Sequence, residues 1–154
     1  MKLKQVEVYI DGACEPSNPG GTASFGVYLT SVDDNAGSVQ EKWGVIGSGA
    51  GMSNNVAEYC ALIEAFALIK RHFHNLFDCD ITIYGDSQLV INQMAGDWGM
   101  KHGLYVEYAV RAKQISTEFP FIKYVWIPRE KNDFADKLSK RALAEVGIKP
   151  RQWL

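Results

Sequence analysis

The spacing of apolar and polar positions changes several times along the chain, and each change predicts an element. Gln5 to Ile10 reads QVEVYI, alternating and rich in β-branched and aromatic residues, the two-residue period of a strand. It runs to Asp11 and then into a cluster of Gly, Ser, Asn and Pro from Gly12 to Gly21, the composition of a turn. Two more β-rich stretches, Ala23 to Ser31 and Gln40 to Ser48, flank the polar segment Asp33-Asp34-Asn35-Ala36-Gly37 and predict an antiparallel meander. The period then lengthens. Val56, Tyr59, Cys60, Leu62, Ile63, Phe66 and Ile69 recur at three- and four-residue steps, a helix capped by Asn54 with Glu58 in its first turns.

Ile81 to Tyr84 is a short strand closed by Gly85, which leaves Asp86 at its C-terminal end, and Ser87 to Met94 is helical in character. Gly96-Asp97-Trp98-Gly99 interrupts the chain before a long amphipathic stretch, Leu104 to Phe119, that Pro120 ends. Phe121 to Ile127 reads as a further buried strand, and a last helix starts near Asn132. The order β-β-β-α-β-α-α-β-α predicts an α/β fold: a five-stranded mixed sheet, three antiparallel strands and then two parallel additions, flanked by helices. With no internal repeat, low-complexity tract or Pro/Ser-rich linker, residues 1–154 are expected to form a single domain.

Composition narrows the function classes. At 154 residues and 47% hydrophobic the chain can bury a core without disulfides or a structural metal, which excludes mini-protein scaffolds. A net charge of −2 leaves no global positive field, so nucleic-acid binding must come from a local patch. Cys14, Cys60 and Cys79 cannot all pair within the chain and show no CxxC spacing, so a reducing cytoplasm is the simpler expectation. No leader precedes Val6 and no apolar run approaches the roughly 18 residues of a membrane span, so a soluble protein without membrane partners is expected.

Four acids stand out by position: Asp11 at the end of strand one, Glu58 in the first helix, Asp86 at the end of strand four and Asp136 in the last helix. If strands one and four pair, Asp11 and Asp86 lie side by side outside the carboxyl ends of the strands, where open sheets collect ligands. The helices can bring Glu58 and Asp136 over the same edge. Carboxylates sharing a cleft repel one another unless they are protonated or bridged by cations, and oxygen-only ligands suit Mg²⁺. Two such ions roughly 3.5–4 Å apart form a clamp for in-line displacement at phosphorus, so phosphodiester hydrolysis is the natural reaction. From position alone, the competing reading is that these acids, like most of the 18, are solvated surface groups.

The local sequence around these acids favours the site. Tyr9-Ile10-Asp11-Gly12-Ala13 followed by Asn18-Pro19-Gly20-Gly21, then Asn54-Asn55-Val56-Ala57-Glu58, Tyr84-Gly85-Asp86-Ser87-Gln88 and Asn132-Asp133-Phe134-Ala135-Asp136-Lys137-Leu138 resemble type 1 ribonuclease H in residues, order and spacing. The resemblance covers about Val6 to Leu143. It implies a ribonuclease H-like fold and a metal-dependent endonuclease that cuts the RNA strand of RNA/DNA hybrids, leaving a 5′-phosphate and a 3′-hydroxyl. It also implies Asp11, Glu58, Asp86 and Asp136 as the catalytic, metal-holding acids, with two Mg²⁺ per site and Mn²⁺ as a substitute. Asn18, Asn54, Asn55 and Gln88 are implied as contacts to the hybrid, through 2′-hydroxyls and base edges in its minor groove. For Asn18 and Asn54 a turn and a helix cap are equally good employment. Gly12, Gly20 and Gly21 are expected to serve turn geometry.

The chain departs from many members in two places. The loop Ile127-Pro128-Arg129-Glu130-Lys131 before the last acid holds no histidine, and Gly96 to Gly103 carries only Lys101 as a fixed positive charge, as in shorter members without a basic protrusion. His72, His74 and His102 lie outside the motifs, and Trp98 is expected to pack rather than to touch substrate. From Lys123 onward eight bases face four acids, and Arg129, Lys131 and Lys140 are candidates to position phosphates. The terminal Pro150-Arg151-Gln152-Trp153-Leu154 is expected to dock on the body, and the unit to act as a free-standing monomer without an obligate protein partner. Two alternatives differ in detail. A non-catalytic nucleic-acid-binding module on this fold would be expected to lack a carboxylate, and another nuclease of the wider superfamily would be expected to lack the Asn54-Asn55 and Gln88 context.

Overall fold

The computed structural model describes residues 2–32 and 37–151. Its strands are β1 (Lys4–Glu15), β2 (Thr22–Val32), β3 (Gly37–Ser48), β4 (Cys79–Gly85) and β5 (Ile122–Trp126), and its helices are α1 (Asn54–His72), α2 (Gln88–Met94), α3 (Val106–Ser116) and α4 (Asp133–Glu145). They follow the expected order, with short 3₁₀ turns at 76–78 and 129–131. The strands form one sheet in the order β3-β2-β1-β4-β5. β1, β2 and β3 pair antiparallel, while β4 joins β1 and β5 joins β4 in parallel. Of the polar segment expected at Asp33 to Gly37, residues 33–36 lie outside the described part and Gly37 already begins β3.

Alternation along β1 decides which helix covers which face. Val6, Val8 and Ile10 are buried together with Tyr59, Leu62, Phe66 and Ile69 of α1, and α3 packs behind α1 through Ala109 and Ala112. Asp11 points to the opposite face, level with Gly26 of β2, and there α4 lies across β1, β2 and β3. Two glycines permit the close approach of these helices. A Cβ at Gly12 would sit 2.4 Å from the Ala57 carbonyl carbon, and one at Gly26 would sit 2.3 Å from the Ala135 oxygen. The expectation of a turn at Gly12 is thereby corrected, because its lack of a side chain makes room for α1.

Several boundaries also differ from the sequence expectation. β1 does not end at Asp11. It continues to Glu15, which pairs with Thr22, because β2 goes on supplying partners through the Gly-rich cluster. What ends is the parallel pairing with β4, whose last pair is Ile10 and Gly85, so Asp11 and Asp86 are the next residues on two neighbouring strands. The α1 cap is Ser53, whose hydroxyl accepts from the Val56 amide, rather than Asn54. β5 is not buried. It is the sheet edge, with Lys123 and Trp126 exposed and its other side chains half-buried.

Candidate active site

At the split between β1 and β4 the chain concentrates negative charge. Asp11 comes from β1, Asp86 follows β4 and Glu58 descends from the second turn of α1; carboxylate oxygens of all three lie within 4.8 Å of one another. Asp136 of α4 lines the same cleft, a space of about 330 Å³. Its Oδ2 lies 2.8 Å from Lys140 Nζ, one helical turn on, so it stands beside the triad as an ion pair.

Each acid of the triad is held by a specific donor. The Gly12 amide donates to Glu58 Oε1 at 2.8 Å, Ser139 Oγ lies 2.9 Å from Asp11 Oδ2, and Asn132 Nδ2 donates to Asp86 Oδ2 at 3.2 Å. The Trp126 indole donates to the Asp86 carbonyl at 3.1 Å, tying the edge strand to the site. Glu58 Oε2 is buried with no hydrogen-bond partner among the described residues.

Electrostatics follow from this crowding. Burial first, and then the charges of Asp86 and Asp136, raise the Asp11 carboxyl to about 7 against the opposing hydrogen bond from Ser139. Burial and the charges of Asp11 and Asp86 push Glu58 well above the usual carboxylate range. Asp86 is raised chiefly by burial, while Asn132 and the charge of Arg129 pull it back. Three converging carboxyls with no basic group among them are relieved by protons or by a cation. The donor set is all oxygen, one buried acceptor is unmatched, and the cleft is open to solvent, so these residues fit a hard divalent ion.

The expected substrate contacts divide. Asn54, Asn55, Arg129 and Lys140 line the cleft with the four acids, whereas Asn18, Gln88 and Lys131 lie outside its lining. Asn18 Oδ1 accepts from the Asn54 amide and Asn54 Oδ1 from the Cys14 amide, each at 2.9 Å. The two asparagines thus stitch the 16–21 turn to the start of α1. Asn55, Gln88, Arg129 and Lys131 are exposed. Lys140 is engaged by Asp136. His72, His74 and His102 are exposed away from these motifs.

Four residues of the site or its rim are not among the site residues expected from the sequence. Ser139 and Asn132 are almost fully buried and reach the acids. Glu15 and Arg151 close the rim: Arg151 donates to Glu15 Oε2 from both its amide and Nε, each at 2.9 Å. Burial would raise Glu15, but the Arg151 bonds and charge, with Arg129, hold it below its ordinary value. Arg151 is thus bonded to the body and Pro150 lines the cleft, while Gln152 to Leu154, with the two apolar residues on which the expected docking of the terminal segment rests, lie outside the described residues. One signal for Ser139 was available: it sits on the apolar stripe of α4 with Ala135, Leu138 and Ala142.

A mixed sheet with two parallel additions, helices on both faces and carboxylates where β1 and β4 part defines a ribonuclease H-like fold. The chain matches the family model described as reverse transcriptase-like over residues 10–142. It is 38% identical to ribonuclease HI of Halobacterium salinarum over 142 residues, which is 92% of this chain and 66% of that protein. It is 30% identical to the bifunctional protein Rv2228c of Mycobacterium tuberculosis over 90% of this chain, and spans only 35% of that protein's length. Among solved structures, LC11-RNase H1 in complex with an RNA/DNA hybrid superposes with a TM-score of 0.76 at 31% identity, covering 92% of this chain and 98% of that one. The chain belongs to the type 1 ribonuclease H family.

Proposed function

We propose that this protein is a divalent-metal-dependent endonuclease that hydrolyses the RNA strand of RNA/DNA hybrids to 5′-phosphate and 3′-hydroxyl ends. The convergence of Asp11, Glu58 and Asp86 oxygens within 4.8 Å carries the reading, and the hybrid bound to the relative LC11-RNase H1 supports the substrate. Asp11, Glu58 and Asp86, with Asp136 at the cleft wall, would hold the cation. Divalent ions bound there, two per site in this reading, with Mg²⁺ as the ion and Mn²⁺ as a substitute, supply charge neutralisation at phosphorus and an activated water.

The rest falls to the chain's own side chains. Arg129, exposed and lining the cleft, is proposed to draw in a phosphate, with Lys131 on the same turn in a supporting part. Asn54 and Asn55 line the same cleft, and with Asn18 and Gln88 they form the set proposed to face the hybrid's minor groove, where the 2′-hydroxyl marks RNA. Lys140 holds Asp136 at the wall, so its phosphate role is secondary in this reading. Residues 1–154 are proposed to act as one catalytic domain. The three buried free thiols support a reducing compartment such as the cytoplasm. Among the described residues no helix is long and apolar enough to cross a membrane.

The test is cleavage of an end-labelled RNA/DNA hybrid beside matched RNA and DNA duplexes, with Mg²⁺, Mn²⁺ or chelator. Metal-dependent cutting confined to the RNA strand of the hybrid is expected. Tight hybrid binding without cutting under either metal would overturn the proposal in favour of a non-catalytic module.

A further inference from the structure

One helix does more than contribute an acid. Ser139 Oγ, fully buried on α4, lies 2.9 Å from Asp11 Oδ2 and 2.9 Å from the carbonyl oxygen of Asp136. Its own carbonyl accepts from Ser24 Oγ of β2 at 2.9 Å, and a Cβ at Gly26 would come within 2.7 Å of its amide nitrogen. The residue is pinned to the sheet through its backbone, which leaves the hydroxyl to act on Asp11. Asn132, at the start of the same helix, spends its amide group on two acceptors: the Ile10 carbonyl at 2.8 Å and Asp86 Oδ2 at 3.2 Å. It therefore ties the last residue of β1 that pairs with β4 to the acid that follows β4, while its Oδ1 is buried with no partner among the described residues.

We infer that Ser139 and Asn132 are positioning residues for cation loading, which fix the carboxyls of Asp11 and Asp86 in the orientation that converges on Glu58. The inference rests on the reading of the triad as cation ligands. Side chains that orient a ligand from behind typically change metal affinity or activity by about 10–100-fold when removed. The docking of α4 and the geometry of the triad are thereby one event: the helix that brings Asp136 also sets the rotation of two acids borne by other elements.

The test measures Mn²⁺ binding to the full chain by loss of the free-ion electron paramagnetic resonance signal, in parallel with thermal melts. Ser139→Ala removes one oxygen and is expected to weaken Mn²⁺ binding about tenfold or more. Ser24→Ala removes a hydrogen bond to the same residue's backbone without touching Asp11. It is expected to lower the melting temperature by a similar amount and to change Mn²⁺ affinity less than twofold. Asn132→Ala is expected to follow Ser139→Ala; if it fails to fold, the serine pair decides alone. Equal Mn²⁺ affinity in Ser139→Ala and the unsubstituted protein, or an equal loss in Ser24→Ala, would overturn the inference. An unsubstituted protein that binds no Mn²⁺ would instead overturn the reading of the triad, and this inference with it.

Discussion

Because Asp11 is raised from 3.8 to about 7, the folded protein binds more protons than the unfolded chain between those values. The sign is fixed by linkage: its stabilising contribution is complete below the unfolded value and is lost as pH rises through the folded one. Metal-free protein is therefore expected to be less stable at pH 8 than at pH 5.5 by about 2 kcal/mol, at about 1.4 kcal/mol per unit, and to melt correspondingly lower. Millimolar Mg²⁺ should restore the loss at pH 8 by binding the folded state alone. Thermal melts in chelator and in Mg²⁺ check this, and a melting temperature that climbs with pH in chelator contradicts it. Asp86→Asn keeps the shape of the side chain and removes one charge from the crowd. It should leave the chelator-treated protein as stable or more so, and lower hybrid cleavage by more than about 100-fold. At this scale the acids were legible because each stands inside a distinctive local motif. The work of Asn54 was not, since its partners Cys14 and Asn18 lie 40 and 36 residues away in sequence. The stripe of α4 marked Ser139 as buried, but its bond to Asp11 was hidden for the same reason, 128 residues away.

Among elements, the decisive contacts are helix backbone against strand backbone. Gly12 faces α1 and Gly26 faces α4 at distances that no added Cβ can share, and neither neighbour is a flexible side chain end. Gly12→Ala and Gly26→Ala are expected to destabilise by about 3 kcal/mol or more, the upper end of overpacking effects, read as a shift in urea midpoint. Gly51→Ala, with open space around it, should stay within about 0.5 kcal/mol. Element order was readable because the period of the apolar positions changes at every junction. Element ends were not. Gly12 to Glu15 leads into a Pro/Ser/Asn/Gly turn yet remains strand, since β2 continues to pair with it, and the burial of β5 depends on its place at the sheet edge rather than on its own residues.

For the molecule as a whole, charge is divided between ends. Residues from Lys123 onward carry eight bases and four acids, while the preceding part carries eight bases and fourteen acids. Hybrid affinity is thus expected to fall steeply with salt, and Arg129→Ala should reduce the slope of log affinity against log salt by about 0.7–0.9, one phosphate contact. Lys140→Ala should change that slope less, because its ammonium is already paired with Asp136. Filter-binding titrations between low and moderate salt distinguish the two. That division of charge was visible in the sequence, but which bases face the cleft was not, because Arg129 and Lys131 diverge within one short 3₁₀ turn.

β1 outlasts its parallel neighbour, and the consequence reaches the protein's motions. Past the pair Ile10 and Gly85, the amides of Gly12 and Cys14 donate to Glu58 Oε1 and Asn54 Oδ1, both carried by α1. A strand edge finished by helix side chains opens when that helix lifts, whatever the sheet does. In deuterium exchange these two amides should keep time with one another, and more slowly than their place beside an open cleft would suggest. Val6 and Val8, locked between β2 and β4, should follow a separate and slower clock. Breathing at the cleft is thus expected to run on a timer of its own, separate from that of the sheet.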